Sequence, residues 1–123
     1  MRIYVCGPMT GYKDCNKQAF FKAAKSLRKN GHTVFCPPEE EVKIGADLKF
    51  QAEWKASTFE YMKRDLKAIL KCDALHLLEG WEKSRGASLE VMVAKELGLK
   101  FVDAKGNVVP DPSSHSESEL VEA

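Results

Sequence analysis

ALHLLEGWEKSRGASLEVMVAKELGLKFVDA, residues 74–104, holds the decisive pattern: two short apolar runs flank a stretch with helical spacing. Ala74 to Leu78 has the length and composition of a buried strand, and Lys100 to Ala104 (KFVDA) reads as another. The spacing predicts a helix from about Ala87 to Leu97 that presents Leu89, Met92, Val93 and Leu97 to a sheet and ends at Gly98. Between the first strand and this helix, Gly80 to Gly86 (GWEKSRG) reads as a loop.

The same alternation extends in both directions. Upstream, MRIYVCGPMTG (1–11) places strand formers at Ile3 to Cys6 and then stops at Gly7, Pro8 and Gly11, residues that let a backbone turn sharply and approach something closely. Asp14 to Asn30 predicts a helix with Phe20, Ala23, Ala24 and Leu27 on one face and a left-handed cap at Asn30-Gly31. His32 to Cys36 (HTVFC) reads as a second strand, closed by Pro37-Pro38, after which a loop is expected. Glu39 to Ala56 shows no clear period and predicts an irregular segment with at most a short helical turn. Ser57-x-x-Glu60 is a capping box, opening a helix whose stripe is Phe59, Met62, Leu66, Ile69 and Leu70. Downstream, Lys105-Gly106-Asn107 is a turn into Val108 and Val109, which read as a small hairpin or a fifth strand.

Strands alternating with helices define an α/β fold: a doubly wound, Rossmann-like parallel sheet of four to five strands in flavodoxin-like order, flanked by helices, with right-handed crossovers. Ligands of such sheets bind beyond the carboxyl ends of the strands, where strand order reverses. Both the Gly7–Tyr12 loop and the Gly80–Gly86 loop belong to that edge. The domain is expected over residues 1–110, with 111–123 (DPSSHSESELVEA) too polar to bury and read as a flexible tail.

Composition narrows the function. The 123 residues carry 19 Lys and Arg against 18 Asp and Glu, so no basic excess points to a nucleic-acid polymer or an anionic membrane. A small molecule or another protein chain is the expected partner. The N-terminus lacks the order of a signal peptide and the apolar runs are too short to span a bilayer, which predicts a cytoplasmic protein. Cys6, Cys15, Cys36 and Cys72 form no metal-ligand spacing and read as reduced thiols, mostly buried. Neither a G-x-G-x-x-G nor a Walker loop is present, which argues against the usual dinucleotide and ATP enzymes.

Several residues could carry chemistry. Glu90 falls in the first turns of the helix behind Ser84-Arg85-Gly86, where the positive end of the helix dipole favours an ionised carboxylate of the kind a nucleophile needs; acidic residues also occur there for helix stability alone. Asp65 flanks the apolar stripe of its helix as a second cleft carboxylate or, more commonly for such a residue, as a partner for a Lys or Arg on a neighbouring element. Two carboxylates at one site fit glycosidic bond chemistry. Tyr4 lies mid-strand, where an aromatic ring packs and its hydroxyl needs a partner. Trp81 and Trp54 could each be a stacking surface for a base, with binding and packing evenly balanced for Trp81, and His32 and His76 read as core residues.

Taken together, YVCGPMTG and YMKRDLKAILKCDALHLLEGWEKSRGASLEVMVAKELGL resemble the nucleoside 2-deoxyribosyltransferase-like superfamily, and within it the small branch filed as DUF4406, over about residues 1–103. The resemblance implies cleavage or exchange of the N-glycosidic bond of 2'-deoxynucleosides or their 5'-monophosphates. Glu90 in GASLE matches the nucleophile, Asp65 in RDL the residue that engages the base and assists its departure, and Tyr4 the tyrosine that orients the nucleophile. Ser84 falls where transferases acting on free nucleosides carry an aspartate and nucleotide hydrolases a serine. A carboxylate there would repel a phosphate, whereas a hydroxyl can donate to one, so Ser84 points to a 5'-monophosphate.

The nucleotide hydrolases have an Arg in the first loop, and this loop is uncharged. The backbone of Gly7, Pro8, Met9, Thr10 and Gly11, the Thr10 hydroxyl, and Arg85 or Ser88 are then the candidates to hold the phosphate, with Gly86 and Trp81 completing the substrate-binding set. No metal or organic cofactor is expected, and a homodimer packed through helices is the implied assembly. Transfer to a second base, or nucleotide binding without turnover, are the rival readings.

Overall fold

The computed structural model describes residues 1–9, 11–43 and 58–112. Thr10, Trp54, Ser57 of the expected capping box, most of the expected irregular segment and residues 113–123 lie outside them.

Five strands form one sheet: β1 (Arg2–Cys6), β2 (Thr33–Phe35), β3 (Ala74–Leu77), β4 (Lys100–Val102) and β5 (Val108–Val109), in the order β2-β1-β3-β4-β5. The first four are parallel, and β5 runs antiparallel to β4. The short turn at Asp103–Asn107 dictates that reversal, since a parallel return needs a crossover of a dozen or more residues. Residues 108 and 109 are therefore both a fifth strand and a hairpin arm.

β1 is an interior strand, between β2 and β3, and its alternation distributes the core. Ile3 and Val5 face α1 (Lys17–Lys29), packing with Phe20, Ala23, Ala24 and Leu27. Tyr4 and Cys6 face the opposite way, toward α3 (Thr58–Leu70) and α4 (Arg85–Glu96), among Ile69, Leu75, Ala87, Val91 and Ala94. Burial of these two apolar layers is the main stabilising term. No helix among the described residues is long and apolar enough to cross a membrane.

Four expectations need correction. The loop after Pro37-Pro38 is replaced by a helix, α2 (Pro37–Lys43). Proline is pre-set for the first helical turn, where its missing N–H has no partner to lose, and Glu39 and Glu40 complement the dipole there. Helix α1 starts at Lys17 rather than Asp14, because Asp14, Cys15 and Asn16 adopt left-handed φ values of 51, 55 and 64°. The Asn16 side chain donates to the Pro8 carbonyl at 3.0 Å from that turn, tying it to the first loop.

Third, α4 turns a different face inward. Ala87, Val91 and Ala94 are buried, whereas Leu89, Met92 and Leu97 are 37, 60 and 47% exposed. Two alanines let the helix lie close to the sheet, and Glu90, three residues after Ala87 and four before Ala94, falls on that inner stripe. The fourth correction is Leu70 on α3, which is solvent-exposed while Ile69 takes the core position.

Close approach of the first and third strand ends also has a sequence cause. A Cβ on Gly7 would lie 2.7 Å from Leu78 Cβ, so any side chain there would push apart the two loops that frame the sheet's carboxyl edge.

Candidate active site

Tyr4 sits fully buried on β1, opposite Phe35 on β2 and Leu75 on β3. Its ring stacks on Phe35 with centroids 5.5 Å apart and planes 9° from parallel, which fixes where the hydroxyl points. That hydroxyl donates to Glu90 Oε2 at 2.5 Å. The other carboxylate oxygen, Oε1, accepts from the Cys6 thiol at 3.4 Å.

Glu90 lies on the sheet-facing stripe of α4, in the second turn rather than at the helix tip. Burial is the largest influence on its carboxyl and, with the charge of Asp65, pushes the pKa up from 4.5 to about 7; the Tyr4 and Cys6 hydrogen bonds and Arg64 act in the opposite direction. The expectation that the helix dipole would favour the ionised form is thus outweighed by desolvation, because dipole effects fade within the first turn.

Asp65, on α3, reaches the same centre. The pKa of its carboxyl is also raised, chiefly by burial, against the lowering influence of Arg64 and, more weakly, of Tyr4. Arg64 pairs with Asp65 at 2.8 Å and lies over the Tyr61 ring, 4.7 Å from its centroid. One guanidinium nitrogen of Arg64, Nη1, is buried without a hydrogen-bond partner among the described residues. The arginine that Asp65 pairs with is thus its own neighbour on α3, not one from another element as expected. Between Tyr4, Asp65 and Glu90 the arrangement provides a carboxyl that ionises near neutrality, a phenol fixed against it, and a second carboxyl whose hold on a proton is strengthened by burial.

The loop residues divide into several roles. Ser84 caps α4, its Oγ accepting from the Ala87 N–H at 3.2 Å, which leaves its own proton to donate. The helix accordingly begins at Arg85, so that Gly86 belongs to its first turn rather than to the loop. A Cβ on Gly86 would meet nothing within 4 Å, so the backbone there is open to approach. Ser88 is turned back, its hydroxyl donating to the Trp81 and Glu82 carbonyls at 3.4 and 3.3 Å.

Trp81 lies in a 3-10 turn (Trp81–Lys83), packed partly against the core on the Tyr4 face. Pro8 is buried, Met9 packs against the α1-side core, and Gly11 is exposed at a φ of 84°. His76 Nδ1 is paired with the Val102 carbonyl at 2.9 Å, and His32 Nδ1 lies 3.2 Å from the N-terminal amine.

Two grooves of about 440 and 490 Å³ flank this centre without including Tyr4, Asp65 or Glu90. The first runs past Leu77, Trp81, Phe101 and Val109; the second lies between Tyr12, Asn16 and the Gly80–Lys83 turn. Among the described residues, no group of three His, Cys, Asp or Glu side chains is placed to hold a metal ion.

Cys6 and Arg64 are the two contributors that sequence reading missed. Cys6 was legible as the residue two positions after Tyr4, hence on the same strand face. Arg64 had no such signal beyond adjacency to Asp65.

Residues 1–103 match the family described as Domain of unknown function (DUF4406). The chain belongs to that family. Its fold is that of the deoxyribosyltransferase-like superfamily: the DUF4406 chain superposes on the solved 2-deoxyribosyltransferase of the psychrotolerant bacterium Bacillus psychrosaccharolyticus with a TM-score of 0.59 and 26% identity, over 89% of this chain and 77% of that one. No curated protein matches the DUF4406 chain by sequence.

Proposed function

We propose that this chain is an enzyme that breaks the N-glycosidic bond of a 2'-deoxynucleoside 5'-monophosphate by a retaining mechanism, with Glu90 as nucleophile. The observation that carries the reading is the partly buried Glu90 carboxyl, poised to ionise near neutral pH, held at 2.5 Å by a phenol and raised in pKa by burial and by the charge of Asp65. Similarity to a 2-deoxyribosyltransferase supports deoxyribosyl chemistry in general.

In the first step a Glu90 oxygen bonds to C1' as the C1'–N bond breaks through an oxocarbenium-like transition state, and the electron pair leaves on the base nitrogen. Asp65, kept protonated more readily by burial, supplies the proton that the departing base takes up. In the second step water adds to C1', the ester oxygen returns to Glu90 as carboxylate, and Asp65 recovers a proton. Tyr4 steadies the carboxylate throughout. A second base in place of water turns the same intermediate into transfer, and the similarity to a transferase favours this as the alternative reading.

Phosphate recognition rests on the Ser84 hydroxyl, the open backbone at Gly86 and the exposed Arg85 at the start of α4, with the backbone of Gly7, Pro8, Met9, Thr10 and Gly11. Ser88, whose hydroxyl is engaged within the 3-10 turn, contributes by holding that turn. Trp81 supplies a wall beside it. The protein acts in the cytoplasm as a homodimer on a small-molecule substrate, without a metal or organic cofactor.

The test is a panel of 2'-deoxynucleosides and their 5'-monophosphates, incubated with the protein and with Glu90→Ala, with free base followed by chromatography. Base release from monophosphates that is lost in the variant is the expected result. Release only when an acceptor base is added would make the protein a transferase, and binding without release would leave a nucleotide sensor.

A further inference from the structure

The Cys6 thiol has no part in the reaction scheme above, yet among the described residues it is one of two side chains that hydrogen-bond to Glu90. Tyr4 and Cys6 leave β1 on the same face, and α4 lays Glu90 across both, so that Oε2 meets the phenol at 2.5 Å and Oε1 the sulfur at 3.4 Å. A carboxylate anchored through one oxygen still rotates about its broad terminal torsion. Anchored through both, by two donors from one rigid strand, it keeps one plane.

The thiol is fully buried, and burial followed by the Glu90 charge pushes its pKa well up, so it retains its proton and acts as a donor, not a nucleophile. It has a second acceptor within reach, the Ala87 carbonyl at 3.5 Å. One S–H proton serves one acceptor well at a time, and an ionised carboxylate attracts it more strongly than an amide carbonyl does. The thiol therefore turns to Glu90 in the state that the reaction uses.

We propose that Cys6 is a positioning residue for Glu90: its thiol proton holds Oε1 of the ionised carboxylate and, with Tyr4, fixes the plane of the nucleophile. The consequence for turnover rests on the glycosidase reading, whereas the thiol–carboxylate contact does not. The proton stays on sulfur throughout, so no bond to sulfur forms or breaks and no oxidant is required.

Two variants, Cys6→Ala and Cys6→Ser, separate this role from space filling. In full-length protein labelled with carbon-13 at the glutamate carboxyls, the Glu90 signal is assigned by its loss in Glu90→Gln. Its midpoint is expected to rise by about half a pH unit or more in Cys6→Ala, which lacks the donor, and to stay near that of the unsubstituted protein in Cys6→Ser. The acid limb of base release is expected to move in parallel, with kcat below that limb falling about three- to tenfold in the alanine variant and KM little changed. The infrared S–H stretch of the unsubstituted protein is expected to shift as Glu90 titrates, a reading that needs no Cys6 variant.

An unchanged Glu90 midpoint in Cys6→Ala, or an S–H band that ignores the titration, would overturn the proposal. So would a serine variant impaired more than the alanine variant in both midpoint and kcat, the order expected if the thiol only fills an apolar space. A protein that releases base from no substrate sinks the glycosidase reading, and the carboxyl titration then still decides the contact by the same two outcomes.

Discussion

Glu90 places stability and activity in opposition. Below about pH 4.5 both folded and unfolded chains hold its proton; between there and about 7 the folded chain keeps a proton that the unfolded chain has lost, so stability falls as pH rises through that window. Glu90→Gln is accordingly expected to stabilise the protein at about pH 8, by on the order of 2 kcal/mol, and to have little effect at about pH 4, as read by denaturant melts at the two pH values. On the proposed mechanism activity runs the other way, because Glu90 must be ionised to attack: base release is expected to rise through an acid limb near pH 7. Tyr4→Phe removes a donor that lowers the Glu90 pKa, so kcat is expected to fall about 10- to 100-fold, with the acid limb displaced upward in the pH–rate profile. Glu90, Asp65 and Tyr4 were legible as residue types in known motifs. The raised Glu90 pKa was not, because desolvation depends on what the chain packs over the carboxyl.

At the scale of the element, α4 is the instrument that brings the carboxyl to the phenol, and its first turn depends on Ser84. Ser84→Ala is expected to cost about 1 kcal/mol in thermal or denaturant unfolding through loss of the cap. Ser84→Asp keeps a capping oxygen and so is expected to retain stability, while weakening 5'-monophosphates relative to free nucleosides by about tenfold or more in kcat/KM, since a carboxylate repels phosphate. Periodicity located this helix but chose the wrong inner face, because counting large apolar residues favoured Leu89, Met92 and Leu97 over the Ala87, Val91 and Ala94 that are buried. The side chains left outside are where the proposed homodimer would be tested. Leu89→Glu with Met92→Glu is expected to weaken a homodimer in sedimentation velocity while leaving the monomer's secondary structure intact, since both positions are already exposed.

For the whole molecule, the sheet's outer limit is β5, beyond which only Pro110 to Pro112 are described. Asp111 reaches Lys95 at 3.7 Å, a partly exposed pair of the kind that contributes under about 1 kcal/mol. A chain ending at residue 110 is therefore expected to melt within a few degrees of the full-length protein and to keep its activity, measured by calorimetry and base release. Strand and helix periods, the Gly and Pro stops and the order in which they occur determined the α/β class and the strand sequence, because these depend on local backbone preference and alternation of apolar residues. Tyr4, Asp65 and Glu90 were likewise named as candidates by residue type and motif. Only the tertiary structure decided that α4 turns Glu90 inward, that Tyr4 and Cys6 meet opposite oxygens of one carboxylate, and that burial outweighs the helix dipole there. Those outcomes depend on which faces of separate elements come together, and that is set by packing across the sheet, over distances that no local pattern encodes.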